Sequence, residues 1–83
     1  MLAIDLQNAF TTAWADNFTC KLVRLIAKAD ASNRAKLALG YPVEVEAVEI
    51  YTTECPYKDE DGERVVDWNA IVAMASSDDH EVP

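Results

Sequence analysis

Residues 37–53, LALGYPVEVEAVEIYTT, decide the fold, because the stretch admits a helix and a strand. Val43-Glu44-Val45-Glu46 alternates apolar and charged as a half-buried strand does, and Val, Ile, Tyr and Thr are good strand formers. The alternation fails at Ala47-Val48. A helix places Val43, Ala47, Ile50 and Tyr51 on one face and Glu46, Glu49 and Thr53 on another. Proline is at ease in a first helical turn, where its missing N–H has no partner. Gly40-Tyr41-Pro42 therefore reads as a helix–helix junction, with Gly40 left-handed at the end of one helix and the next running from Pro42 to about Thr53. The expectation is an all-α chain.

Working back towards the N-terminus, Ser32 is placed to cap a short helix from Asn33 to Leu39. Before it, Leu22, Val23, Leu25, Ile26 and Ala29 form an apolar stripe behind Thr19 as cap, with Lys21, Arg24 and Lys28 on another face and an end near Asp30. Leu6, Phe10, Ala13 and Trp14 recur at helical spacing behind Asp5 as N-cap, which predicts a first helix over residues 5–15, broken by Asp16-Asn17. Working forward, Cys55-Pro56-Tyr57 ends the deciding stretch, and Lys58 to Arg64 reads as a charged loop around Gly62. Trp68, Ile71, Val72 and Ala75 then give a last helix, with Asp67 as cap. The whole is expected to be a small single-domain bundle of four to five short helices over residues 1–76, with a frayed, flexible acidic tail over 77–83.

Eighty-three residues bound this to one domain, since so short a chain buries only about 60% of its unfolded surface. A 51% hydrophobic share and two tryptophans, Trp14 and Trp68, suffice for one modest core. The best apolar stretch, Leu22 to Ala29, is interrupted by Arg24 and Lys28 and falls short of a membrane span. The N-terminus lacks the basic start of a signal peptide, so a cytoplasmic protein is expected, with Cys20 and Cys55 as thiols.

Templates for chemistry fail one by one. The single histidine, His80, lies in the expected tail, where geometry is not held to the tolerance that general-base catalysis requires. Zinc needs four ligands in closely spaced pairs, whereas Cys20 and Cys55 are far apart. Asp59-Glu60-Asp61-Gly62-Glu63 resembles part of a calcium loop, but aligning Gly62 with the sixth position puts Tyr57 first and Trp68 at the bidentate glutamate position. With two glycines, Gly40 and Gly62, no phosphate loop or dinucleotide fingerprint exists. The chain is expected to be no enzyme and to use no metal or cofactor.

Charge is the one feature above background. Residues 1–41 set five cations against three acids, net +2, while residues 42–83 set two against twelve, net −10. Such a field disfavours nucleic acid and membrane surfaces as partners. A binding role is expected instead, centred on Glu44, Glu46, Glu49, Asp59, Glu60, Asp61 and Glu63 as a surface for a basic patch on a partner protein. Lys21, Arg24, Lys28 and Arg34 form a possible basic strip. Mimicry of DNA phosphates by the acidic half, and self-association into a homo-oligomeric minor structural or assembly component, are the alternatives.

Across residues 25–51, Leu-Ile-Ala-Lys-Ala-Asp, then Asn33-Arg34 with Leu37, then Gly40-Tyr41-Pro42 followed by Glu-Val-Glu-Ala, the chain resembles small uncharacterised proteins of tailed bacteriophages and prophages. The resemblance covers about a third of the length. It implies a phage-encoded accessory protein in the infected bacterial cytoplasm, engaging a host or phage protein. It supplies no catalytic residue.

Overall fold

The computed structural model describes residues 2–77. Five helices and one hairpin follow in order: α1 (Leu2–Thr11), α2 (Phe18–Lys28), α3 (Ala31–Gly40), α4 (Pro42–Thr53), β1 (Tyr57–Glu60), β2 (Glu63–Val66) and α5 (Trp68–Ser77). It is a predominantly all-α small domain. The expected acidic tail lies, from residue 78 on, outside the described residues.

The deciding stretch is helical. Proline occupies the start of α4, and Val45, Ala47, Val48 and Ile50 are buried along it. The junction differs from expectation in one respect: Gly40 is the last helical residue of α3 rather than a left-handed cap. Tyr41 does the turning. Its N–H still bonds to the Leu37 carbonyl at 2.8 Å, its own carbonyl accepts from Val45 at 3.1 Å, and its φ of −135° swings the chain from one helix into the next.

Three caps fall elsewhere than expected. Asn17, not Thr19, caps α2, its Oδ1 accepting from the Cys20 amide at 2.8 Å. Asp30, not Ser32, caps α3 by accepting from the Asn33 amide at 2.8 Å. Each displaced residue sits two positions inside a helix whose real cap has equal side-chain chemistry. Asp5 lies within the first turn of α1, which starts at Leu2 and stops at Thr11. Trp14 is thereby left in the α1–α2 loop, 83% exposed, instead of on a core face. Asp67 does cap α5, accepting from the Ala70 amide at 3.1 Å, and the helix continues through Ser77.

The expected charged loop is a β-hairpin. Tyr57 pairs with Val66, Lys58 with Val65, Asp59 with Arg64 and Glu60 with Glu63. Asp61 (φ 54°) and Gly62 (φ 83°) make the two-residue turn, and positive φ at both positions is what matches a tight turn to the twist of its strands. The Asp67 amide bonds the Pro56 carbonyl at 2.9 Å and closes the base.

Packing forms a ring, with α1 against α2, α2 against α4, α4 against α5 and α5 back against α1, while α3 lies outside on α4. Leu6, Cys20, Val23, Ile26, Val48 and Ile71 are fully buried in its middle. At one rim Phe10, Tyr51 and Trp68 stack, with Phe10–Tyr51 centroids 4.2 Å apart and Tyr51–Trp68 5.3 Å apart. No helix among the described residues is long and apolar enough to cross a membrane.

Candidate functional site

The acidic residues singled out from the sequence fall into two groups on different elements. Glu44, Glu46 and Glu49 belong to the central helix α4 and are half-buried. Glu46 and Glu49 line an open cleft between α3 and α4 of about 630 Å3, together with Arg34, Ala35, Ala38 and Ala75. Asp59, Glu60, Asp61 and Glu63 are exposed on the hairpin. Glu60 and Glu63 face each other beside the turn, and Lys58 Nζ lies 3.9 Å from Glu60. Arg64 stands over the Tyr57 ring at 4.7 Å. The hairpin packs extensively on no helix. Among the described residues no group of three or more His, Cys, Asp or Glu is placed to hold a metal ion.

The basic strip divides by chemistry. Arg24 donates through Nε to the Ala9 carbonyl at 3.1 Å, through Nη2 to that of Thr12 at 2.7 Å and through Nη1 to that of Ala15. The Ala9 carbonyl is one of those left without an intrahelical donor where α1 ends, and the other two lie in the loop beyond, where Thr12 also accepts from the Ala15 amide at 3.1 Å. Arg34 does the same for α2, donating to Ile26 at 3.0 Å and Ala27 at 3.3 Å. Both arginines hold helix ends together. Lys21 and Lys28 stay exposed.

With the arginines turned inward, Lys28 borders a feature the sequence reading missed. Although α2 and α3 are joined by Ala29-Asp30 alone, they are not among the closely packed helix pairs. Between them opens a cleft of about 430 Å3, lined by Leu25, Ala29 and Leu37 and by Lys28, Asn33 and Lys36. Leu25 is 54% exposed. At its far end Phe18, itself 67% exposed, meets Tyr41 across the gap with ring centroids 6.2 Å apart. Spacings of three and four link Phe18, Lys21, Leu25 and Lys28 on α2, and Asn33, Lys36, Leu37 and Tyr41 on α3, so each helix presents one stripe to the cleft. The available clue was Leu25, which lies on the lysine side of an apolar arc too wide for one buried face.

Cys20 is buried and its Sγ donates to the Asp5 carbonyl at 3.4 Å, whereas Cys55 is half-buried; both are free thiols. No family model, curated protein or solved structure matches the chain.

Proposed function

We propose that this chain is a phage-type accessory protein that acts in the host cytoplasm by binding another protein and performs no catalysis of its own. The observation that carries the reading is the set of large apolar side chains left in water, foremost Leu39 at 88%, Trp14 at 83% and Phe18 at 67% exposure. Burying such groups against a partner is the main favourable term in protein association, and aromatic anchors dominate the energetics of such contacts. The hairpin carboxylates Asp59, Glu60, Asp61 and Glu63 add long-range attraction to a basic partner, which speeds encounter more than it tightens the complex. The phage setting rests on the resemblance across residues 25–51.

Immobilised chain, exposed to bacterial lysate at low and moderate salt, tests the reading. The wild type is expected to retain a protein at both ionic strengths. Combined Trp14→Ala and Leu39→Ser substitution is expected to release it, while neutralising the hairpin carboxylates slows its capture without abolishing it. Retention of nothing at either salt removes the reading, as does retention that neither set of substitutions changes. Concentration-dependent association of the pure chain in sedimentation would replace it with a homo-oligomer.

A further inference from the structure

Within the protein-binding reading, on which this step rests, we infer that the α2–α3 cleft receives an acidic amphipathic helix from a different protein. Charge complementarity selects the occupant. The helices α2 and α3 carry Lys21, Arg24, Lys28, Arg34 and Lys36 and no acid, in a chain whose net charge is −8. The two arginines are committed to carbonyls, but Lys21, Lys28 and Lys36 make no ion pair and no side-chain hydrogen bond among the described residues. Lys28 and Lys36 rim an apolar floor of Leu25, Ala29 and Leu37, and Lys21 stands one turn before Leu25 on α2. A ligand that satisfies both layers has aliphatic side chains along its centre and carboxylates along its edges.

The shape calls for a helix. Both walls are helices, so their side-chain ridges leave a groove for a third, and neither wall offers the unpaired backbone edge that strand addition requires. The lining spans about one turn of each wall, Leu25 to Ala29 at the end of α2 and Asn33 to Leu37 on α3, about 6 Å at 1.5 Å per residue, so a docked helix seats one turn there and runs on along α2 towards Phe18.

A second copy of the chain does not fit. Face-to-face pairing sets the Lys28 and Lys36 of one copy against those of the other, and the most acidic of the described helices, α4, already buries its apolar side, Val45, Ala47, Val48 and Ile50, in its own core and has no aliphatic row left for another copy's cleft. Nucleic acid is a poorer match than a peptide, because the aliphatic floor gains nothing from a phosphate backbone.

The test uses a labelled synthetic three-turn helical peptide with leucines at i, i+4 and i+7 and glutamates on both flanks, titrated with the full chain by fluorescence anisotropy. Saturable binding is expected, weakened about tenfold or more by Leu25→Glu and by the Lys28→Glu/Lys36→Glu pair. The paired reversal should also create binding to the same peptide with lysine flanks, a gain that misfolding does not mimic. Gln7→Ala, at an exposed position of α1 outside the cleft, leaves the affinity unchanged.

No saturable binding overturns the inference, as does equal affinity for glutamate- and lysine-flanked peptides, insensitivity to Leu25→Glu, or tighter binding of a single-stranded oligonucleotide. A lysate partner that is retained through Trp14 and Leu39 while the glutamate peptide fails to bind would sink the cleft assignment and leave the protein-binding reading standing.

Discussion

Arg24 joins three carbonyls that belong to the end of one helix and the loop beyond it, and this single side chain explains where α1 stops. A planar guanidinium with a fork of donors reaches all three at once; a lysine ammonium on a flexible stem does not. Arg24→Ala is expected to lower the unfolding free energy by about 2–3 kcal/mol, the worth of hydrogen bonds from a charged donor together with the carbonyls left unmatched. Arg24→Lys should recover less than half of that loss, and urea titration of both variants reads the difference. Equal stability of wild type and Arg24→Ala would mean that the α1–α2 loop does not depend on this contact. The same contact places Trp14 in water while Trp68 packs on the core. Single-tryptophan variants therefore differ: Trp14 should emit as in water and be quenched freely by acrylamide, and Trp68 should emit further to the blue and shift only on unfolding. Spacing alone put Trp14 on the apolar face, because nothing local records that an arginine ten residues on will take the Ala9 carbonyl together with two in the loop beyond.

Gly40 and Gly62 show how far an element is set by its own residues. Gly40 is helical and a Cβ built on it meets nothing within 4 Å, so Gly40→Ala removes unfolded-state freedom without a clash and should stabilise the fold by about 0.4–1 kcal/mol. Had Gly40 been left-handed, as its place before Tyr41-Pro42 suggests, the sign would be opposite; thermal melts of the variant decide. Gly62 holds a φ of 83°, and Gly62→Ala should cost about 1–2 kcal/mol of hairpin stability. Amide exchange should rise over residues 57–66 while the helical signal stays, since the hairpin packs extensively on no helix. Five helices were legible because apolar spacing and Pro42 are local. The hairpin was missed because Tyr57-Lys58-Asp59-Glu60 has no alternation of apolar and polar residues, although Asp61-Gly62 is itself a strong turn signal. The α2–α3 cleft was illegible for a different reason. Its two stripes can be read from spacing, but the gap between them depends on α3 packing against α4 rather than α2.

At the scale of the whole molecule, charge and thickness act together. The domain measures 40 by 38 by 22 Å, about two helix diameters at its thinnest, so its core is a single layer and every helix keeps a face in water. A shallow core gives small net stability, and a charge of −8 on so small a body opposes compaction. Among the described residues Lys58 and Glu60 form an exposed pair at 3.9 Å, of a kind that offsets little of this. Lys28 and Lys36 line their own cleft, and with Lys21 they have no ion partner among the described residues. Salt therefore screens more repulsion than attraction. Raising ionic strength from about 0.01 M to about 0.15 M shortens the screening length from about 30 Å to about 8 Å, and the melting temperature is expected to rise over that interval. The increase should shrink in a variant with Asp59, Glu60, Asp61 and Glu63 neutralised, because that variant begins with less repulsion to screen. A melting temperature that falls with salt in the wild type would mean that attractive pairs outweigh the net field. Binding should respond in the opposite sense: the salt that firms the fold also screens the lysine rim, so affinity for the glutamate-flanked helix is expected to drop over the same interval. Titration of that peptide and thermal melts in the same buffers would separate the two effects, since a cleft lost through unfolding weakens with falling salt and one governed by charge weakens with rising salt.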